Sequence, residues 1–322
     1  MSRTRVSYAV ALIICLVLLP AAFTRAENAD AGTSAFPFLK INVGARPVAM
    51  GGAFTGLADD ESSLYYNPAG ITTFEGTRYM LGYHNYFTDI QTGFLGFIKP
   101  LDYTKTLAGY FSYLNYGDMK ETDNTGTVLG EFSGSDLTFG LAFAYKYNHA
   151  FRFGATGKFI YEKIHEYSAT GLAVDLGVKY LSNRERYSGG IMLQNLGTQL
   201  STLGEGDKES LPTTLRVGGS ARPKNLGVLF SADMIMPFDN DIEFAFGGEY
   251  YDLKPLYLRM GWNTFGTNYR TSDSEDNWAG LSVGFGFEIK DLGFLQNTHL
   301  SYSFSPGAEL GESHRITLTG GK

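Results

Sequence analysis

Gly280-Leu281-Ser282-Val283-Gly284 has the spacing of a hydrolase nucleophile motif, whose serine must sit on a sharp strand-to-helix elbow. Here the serine lies inside an unbroken alternation. Ala279, Leu281, Val283, Phe285, Phe287 and Ile289 are apolar, and Gly280, Ser282, Gly284, Gly286 and Glu288 are small or polar. That context places Ser282 in mid-strand and makes the motif a coincidence. The five histidines, His84, His149, His165, His299 and His314, are scattered, and no pair has metal-ligand spacing. The single cysteine, Cys15, falls in an N-terminal apolar run, so thiolate chemistry and disulfides drop out of the exported chain. The expectation is a protein that is not an enzyme and carries no metal or cofactor.

The elements that position these residues are strands. Leu137, Phe139, Leu141, Phe143, Tyr145 and Tyr147 oppose Thr138, Gly140, Ala142, Ala144 and Lys146, and residues 170–180 divide in the same way. Successive strand side chains point to opposite faces, so each segment has one apolar face and one small or polar face. An amphipathic helix would space its apolar residues three and four apart. About fourteen such segments follow residue 75, centred near Leu81, Leu95, Phe111, Leu141, Phe159, Val174, Ile191, Val217, Phe230, Phe246, Leu258, Val283, Tyr302 and Ile316. The expected fold is all-β, a transmembrane antiparallel barrel over residues 76–319.

Loop lengths fit that count. Polar stretches at 118–134, 198–212, 263–276 and 305–312 follow strands three, seven, eleven and thirteen, whereas tight turns follow strands four, six and eight. Membrane barrels have short periplasmic turns and longer extracellular loops. The pattern therefore puts both termini on the periplasmic side. On the predicted inner face Lys146, Arg152, Lys158, Glu162, Asp175, Lys179, Asp233, Glu243, Glu249, Arg259 and Glu288 carry mixed signs. An ion-selective constriction would carry one sign. Mixed charges are expected to pair with one another and with a plug, because each would cost several kcal/mol if buried alone.

Arg3 and Arg5 precede an apolar run from Val6 to Phe23, the pattern of a secretory signal over residues 1–26, with cleavage after Ala26 or after Ala31. Its removal takes away three arginines and no acid, moving the net charge from −7 to −10. That balance excludes nucleic acid as a partner. The 40 glycines, 24 phenylalanines and 21 tyrosines suit glycine-punctuated strands.

Residues 27–75 do not alternate. Asp59-Asp60-Glu61 precedes a short helix in which Asp59 is read as the N-cap and Pro68 as the stop. The run Gly44-Ala45-Arg46-Pro47-Val48-Ala49-Met50-Gly51-Gly52-Ala53-Phe54, followed by Ala58-Asp59-Asp60-Glu61-Ser62-Ser63-Leu64-Tyr65-Tyr66-Asn67-Pro68-Ala69-Gly70, resembles the entry region of the FadL and PorV/PorQ families of outer-membrane barrels. Looser similarity runs through residues 193–197, 211–218 and 314–318. The chain departs from the usual barrel ending, since it closes on Thr319-Gly320-Gly321-Lys322 rather than on an aromatic residue.

The resemblance implies a fourteen-stranded barrel in the outer membrane of a diderm bacterium, with residues 27–75 as a hatch inside the lumen. It makes Gly44, Arg46, Gly51, Gly52, Asp59, Asp60, Asn67, Pro68, Ala69 and Gly70 the hatch motif. It also implies passive uptake of a small hydrophobic molecule of fatty-acid type, or else an accessory role in type IX protein secretion. The expected partners are membrane lipid, a hydrophobic small molecule and secretion-system proteins. FadL-type barrels release substrate sideways through a kink in an early strand, and Gly109, in the poorly alternating third strand, is the expected site of such an opening.

Overall fold

The computed structural model describes residues 32–322 except 88, 266–277, 294 and 308–310. The expected signal segment, either expected cleavage position and Cys15 lie outside the described residues, as does most of the expected loop at 263–276.

Fourteen antiparallel strands close into one barrel, each paired with its neighbours in the chain and the first with the last. They are β1 (Arg78–Asn85), β2 (Gln91–Pro100), β3 (Lys105–Thr122), β4 (Val128–Lys146), β5 (Phe151–Ile164), β6 (Tyr167–Leu181) and β7 (Tyr187–Ser201). The second half holds β8 (Thr214–Ala221), β9 (Val228–Pro237), β10 (Glu243–Leu253), β11 (Leu256–Asn263), β12 (Leu281–Leu292), β13 (Leu295–Pro306) and β14 (Glu312–Gly321). Every expected strand centre falls inside the corresponding strand. Closure runs from Arg78↔Gly321 to Asn85↔His314, so the glycine-rich ending is part of the wall and β14 extends two residues past the expected boundary at 319.

The alternation sorts as chemistry requires. On β4, Phe139, Leu141, Phe143 and Tyr145 are exposed, while Thr138, Ala142 and Ala144 are buried against the lumen contents. A belt of exposed large apolar side chains continues around the wall, including Leu81, Leu95, Phe111, Phe159, Leu172, Val217, Leu258, Phe285 and Ile316. Such a surface is stable only against lipid.

The connections follow the expected parity in part. Those after even strands, at 101–104, 147–150, 182–186, 222–227, 254–255 and 293–294, are all short. Long ones follow β7, at 202–213, and β11, at 264–280. The expected loop at 118–134 is instead mostly strand, because β3 and β4 run on past the apolar belt and keep pairing as far as Thr122↔Val128. Pairing satisfies their backbone groups where an irregular loop would leave them to water. The connection after β13 is likewise brief. Both ends of the wall lie at the short-connection rim, whereas the first described residues of the hatch lie at the opposite rim.

Candidate functional site

The lumen is filled by residues 32–75, which form the 3-10 turn Pro37–Lys40, the helical turns Ala45–Ala49 and Ser63–Tyr66, and the 3-10 turn Pro68–Thr73. At the long-connection rim Phe36, Phe38 and Leu39 pack with Leu114, Ile160, Ala173 and Leu211. There the Ala35 amide donates to the Ser210 carbonyl at 3.0 Å, and the Lys40 ammonium pairs with Asp239 in the β9–β10 connection. Lower in the barrel Leu64 and Ile71 pack against Met80, Phe94, Ile98, Ala108, Tyr110, Ala142 and Ala144 of β1 to β4.

Between these apolar ends the hatch is held by polar groups. Gly44 opens the turn Ala45–Ala49 at φ 82°, where a Cβ would come within 2.6 Å of Ser62 Oγ. The turn's first amide, from Ala45, donates to Thr317 Oγ1 on β14 at 2.9 Å. Arg46 then forks onto Glu249 of β10, with Nε to Oε2 at 2.7 Å and Nη2 to Oε1 at 2.9 Å. Its remaining nitrogen reaches Asp59 at 2.6 Å and Asp60 at 3.0 Å. Glu249 also accepts from Arg259 of β11 at 2.7 Å, and Asp59 pairs with Arg222 beyond β8. The network ties one hatch guanidinium to three elements of the wall. Planar bidentate pairing of this kind is directional as well as strong.

Burial alone would push Asp59 up, but Arg46 and Arg222 outweigh it and hold its carboxyl well below the usual carboxylate range. Glu61 goes the other way. Burial pushes it up to about 7 although Arg78 lies 2.6 Å away.

The expected N-cap role of Asp59 is not what the structure shows. The helical turn starts at Ser63, with Ser62 before it, because Asp59 is drawn off by the two arginines. Asp60 takes the local role instead, accepting from the Ser62 amide at 2.8 Å. Pro68 does not simply stop the helix. It begins the next 3-10 turn, and Asn67 before it accepts from the Ala69 amide.

Gly51 and Gly52 carry the chain past the wall at φ 68° and 84°. A Cβ on Gly51 would lie 2.6 Å from the Trp262 carbonyl oxygen, so hatch and wall backbones touch there. The next turn is gripped by Asp233 of β9, which accepts from the Phe54 and Thr55 amides at 3.0 and 2.8 Å. Arg216 of β8 donates to the Gly52 carbonyl at 2.8 Å. Asn67 spans hatch and wall, donating to the Thr55 and Val178 carbonyls, both at 3.0 Å. It fits because Gly177 and Gly190 face it: a Cβ on Gly177 would lie 2.3 Å from Asn67 Oδ1. Gly154 makes room for Pro68 and Ala69 in the same way, and Gly70 for Ala58.

The structure thus gathers Gly44, Arg46, Gly51, Gly52, Asp59, Asp60, Asn67, Pro68, Ala69 and Gly70 into the hatch and its contacts. Sequence reasoning missed Arg216, Arg222 and the wall glycines as partners. Arg216 was in reach, since it sits in the 211–218 segment that carries the family resemblance. Of the expected inward charges, Lys158 pairs with Asp175 at 2.7 Å, Arg259 with Glu249, and Lys179 donates to the Leu57 and Ala58 carbonyls.

Gly109 does not mark an opening. It pairs with Phe97 on one side and Leu141 on the other, within ladders that run without a break from Thr106 to Asn115. The irregularity of β3 lies higher, between Asn115 and Asp118, where Gly117 has φ 74°. The β7–β8 ladder ends earlier, at Gln194↔Thr214, while β7 continues against β6 to Ser201.

Two cavities flank the hatch on the side of the later strands. The upper, about 310 Å³, lies between hatch residues such as Pro37, Ile41 and Val48, wall residues such as Leu281, Pro306 and Arg315, and Phe265 of the β11–β12 connection. The lower, about 210 Å³, is strongly polar and includes Arg46, Asp60, Glu61, Arg78, Glu249 and Arg259. Val48 faces the upper space and Arg46 the lower, so the single turn Ala45–Ala49 is the partition between them.

Residues 24–223 match the family model described as type IX secretion system protein PorV. A search of curated proteins finds no sequence match. Among solved structures, the chain is similar to the Pseudomonas putida toluene transporter TodX, with 15% identity, TM-score 0.59, and coverage of 86% of this chain and 96% of that one. It is also similar to the CymD monoaromatic hydrocarbon channel, with 13% identity, TM-score 0.58, and coverage of 89% and 99%. A Pseudomonas aeruginosa FadL homologue follows at 12% identity, TM-score 0.50, and coverage of 93% and 99%. At these identities the likeness is one of fold.

Proposed function

The chain belongs to the PorV family, and we propose that it is an outer-membrane barrel through which a small hydrophobic molecule is taken up passively when the hatch shifts. The observation that carries this reading is the placement of the two cavities, one above the other and separated by the turn Ala45–Ala49. The upper space is large enough for a small ligand, at the lower end of the roughly 300–1,000 Å³ of ligand pockets. Its lining mixes apolar side chains with Arg315, which suits a hydrophobic carboxylate of fatty-acid type. Much of that lining comes from β11 to β14, beyond the residues that match the family model. The solved hydrocarbon channels with this fold support the reading by analogy.

The route is simple in physical terms. A ligand enters at the long-connection rim, displaces the Ala45–Ala49 turn, and passes into the polar chamber at the short-connection rim, which faces the periplasm. The experiment is uptake of a labelled long-chain fatty acid by cells with the gene, without it, and with Val48→Trp. Uptake should fall on deletion and fall again to that level with the tryptophan, which fills the upper cavity. Equal uptake in all three strains removes the proposal.

A second reading, an accessory role in type IX secretion, is favoured by the family match itself. It predicts that secretion components co-purify with the protein and that Val48→Trp leaves secretion intact.

A further inference from the structure

Arg152 is an inward-facing charge of the wall that makes no hydrogen bond or ion pair with the hatch. It is the second residue of β5, directly above the short 147–150 connection, and is only 5% exposed. Its Nε and Nη1 are both buried and have no protein acceptor. Its two cross-strand neighbours are also cations, Lys146 on β4 and Lys179 on β6. Lys146 rests its ammonium over the Tyr103 ring at 3.9 Å. Lys179 gives two of its donors to hatch carbonyls and has a third left over. Two carboxylates face the cluster: Asp59 of the neighbouring hatch segment is held by Arg46 and Arg222, and Glu185 in the 182–186 connection acts on the Arg152 charge without bonding its guanidinium.

Three like charges on adjacent strands repel one another, and a guanidinium buried without an acceptor costs several kcal/mol. An arrangement of that cost makes sense where an anion completes it. Neighbouring strands are roughly 4.8 Å apart, so the buried donors of Arg152 lie between two cationic residues, one on each adjoining strand. The rim also sits at the level of lipid headgroups, since Tyr103 and Tyr147 in its short connections are 81% and 67% exposed and aromatic residues collect at the membrane interface.

We propose that Lys146, Arg152 and Lys179 form a binding site for a phosphate group at the short-connection mouth of the barrel. The guanidinium offers paired donors to two phosphate oxygens and the lysines supply charge on either side. Two sources share this chemistry, a phospholipid headgroup reaching over the rim and free phosphate.

The test uses the full chain purified in detergent. One arm measures binding of labelled inorganic phosphate by equilibrium dialysis. The other incubates the protein with phosphatidylglycerol, or with diacylglycerol that lacks the phosphate, and counts bound lipid by native mass spectrometry. Wild-type protein should bind one phosphate-bearing group in at least one arm and no diacylglycerol. Arg152→Gln should weaken that binding at least tenfold, whereas Lys163→Gln, an exposed lysine at the far end of β5, should leave it unchanged. Binding in the first arm identifies free phosphate as a ligand, and binding in the second alone identifies the headgroup. If Arg152→Gln does not fold, Lys146→Gln is held to the same tenfold loss. No binding in either arm, or binding unaffected by the substitution, overturns the site.

Discussion

The first seven strands and the last seven hold the hatch by different means. Among the first, β3 to β7 run to between 14 and 19 residues, and their inner faces receive Phe36, Phe38 and Leu39 in an apolar cluster. Leu64 and Ile71 are buried against β1 to β4. The last seven are shorter, 8 to 12 residues, and meet residues 44–60 mainly through Arg46, Glu249, Asp233 and Arg216, with apolar contact from Leu229. Both cavities lie on that shorter side. Apolar burial is non-directional and survives small shifts. A buried ion network fails as a unit when one member is withdrawn. The difference makes the middle of the hatch separable from its ends.

Arg46→Ala should break this contrast most. It leaves Asp60 without its cation and Glu249 and Asp59 with one arginine each, and should cost about 3–5 kcal/mol, read as a loss of resistance to denaturant. The wall can be attacked independently. Leu141→Arg, in the middle of the outward belt, should cost about 2–4 kcal/mol for folding into a bilayer and leave the hatch contacts alone. Gly190→Val would put a side chain 2.2 Å from the Thr55 carbonyl oxygen and should lower stability by roughly 1–3 kcal/mol, as overpacking does, in a melting experiment.

Acidity should sharpen the contrast more gently. Asp59 is held below its unfolded value of about 3.9, so its contribution is complete above that pH and drains away as the pH falls further. Glu61, pushed up to about 7, has the opposite sign. Its contribution is complete below an unfolded value of about 4.3 and is lost as the pH rises through about 7. Protease resistance of the hatch should therefore peak in mildly acid solution. The smallest effect is expected from Gly109→Ala, whose Cβ would meet Gly140 at an ordinary 3.4 Å inside a continuous ladder, and whose unfolding midpoint should move by no more than about 0.5 kcal/mol allows.

The wall was legible because a barrel strand repeats with period two, and each face declares itself in residues such as Phe139, Leu141 and Phe143 against Thr138 and Ala142. The hatch motif was legible as a resemblance and as turn formers. What it touches was not, since Glu249, Asp233 and Arg216 lie between 150 and more than 200 residues away in the chain, and nothing local marks them as partners of Arg46 and Thr55. Asp59 shows the limit well. By local rules it caps a helix, and a tertiary ion pair overrides that preference. Gly109 fails for the reverse reason, because a glycine in a strand signals irregularity only where the register breaks, and here it breaks at Gly117.

The central claim is that the polar-held middle of the hatch moves apart from its apolar ends and from the wall. Hydrogen exchange on wild-type protein and on Arg46→Ala tests it directly. Amides in residues 44–60 of the variant, among them Phe54 and Thr55, should exchange about a hundredfold to several thousandfold faster, as a loss of 3–5 kcal/mol requires. Those of Leu64–Tyr66 and of β3 to β7 should stay as slow as in the wild type. If hatch and wall speed up together, or if neither changes, the latch is not separable and the account is wrong.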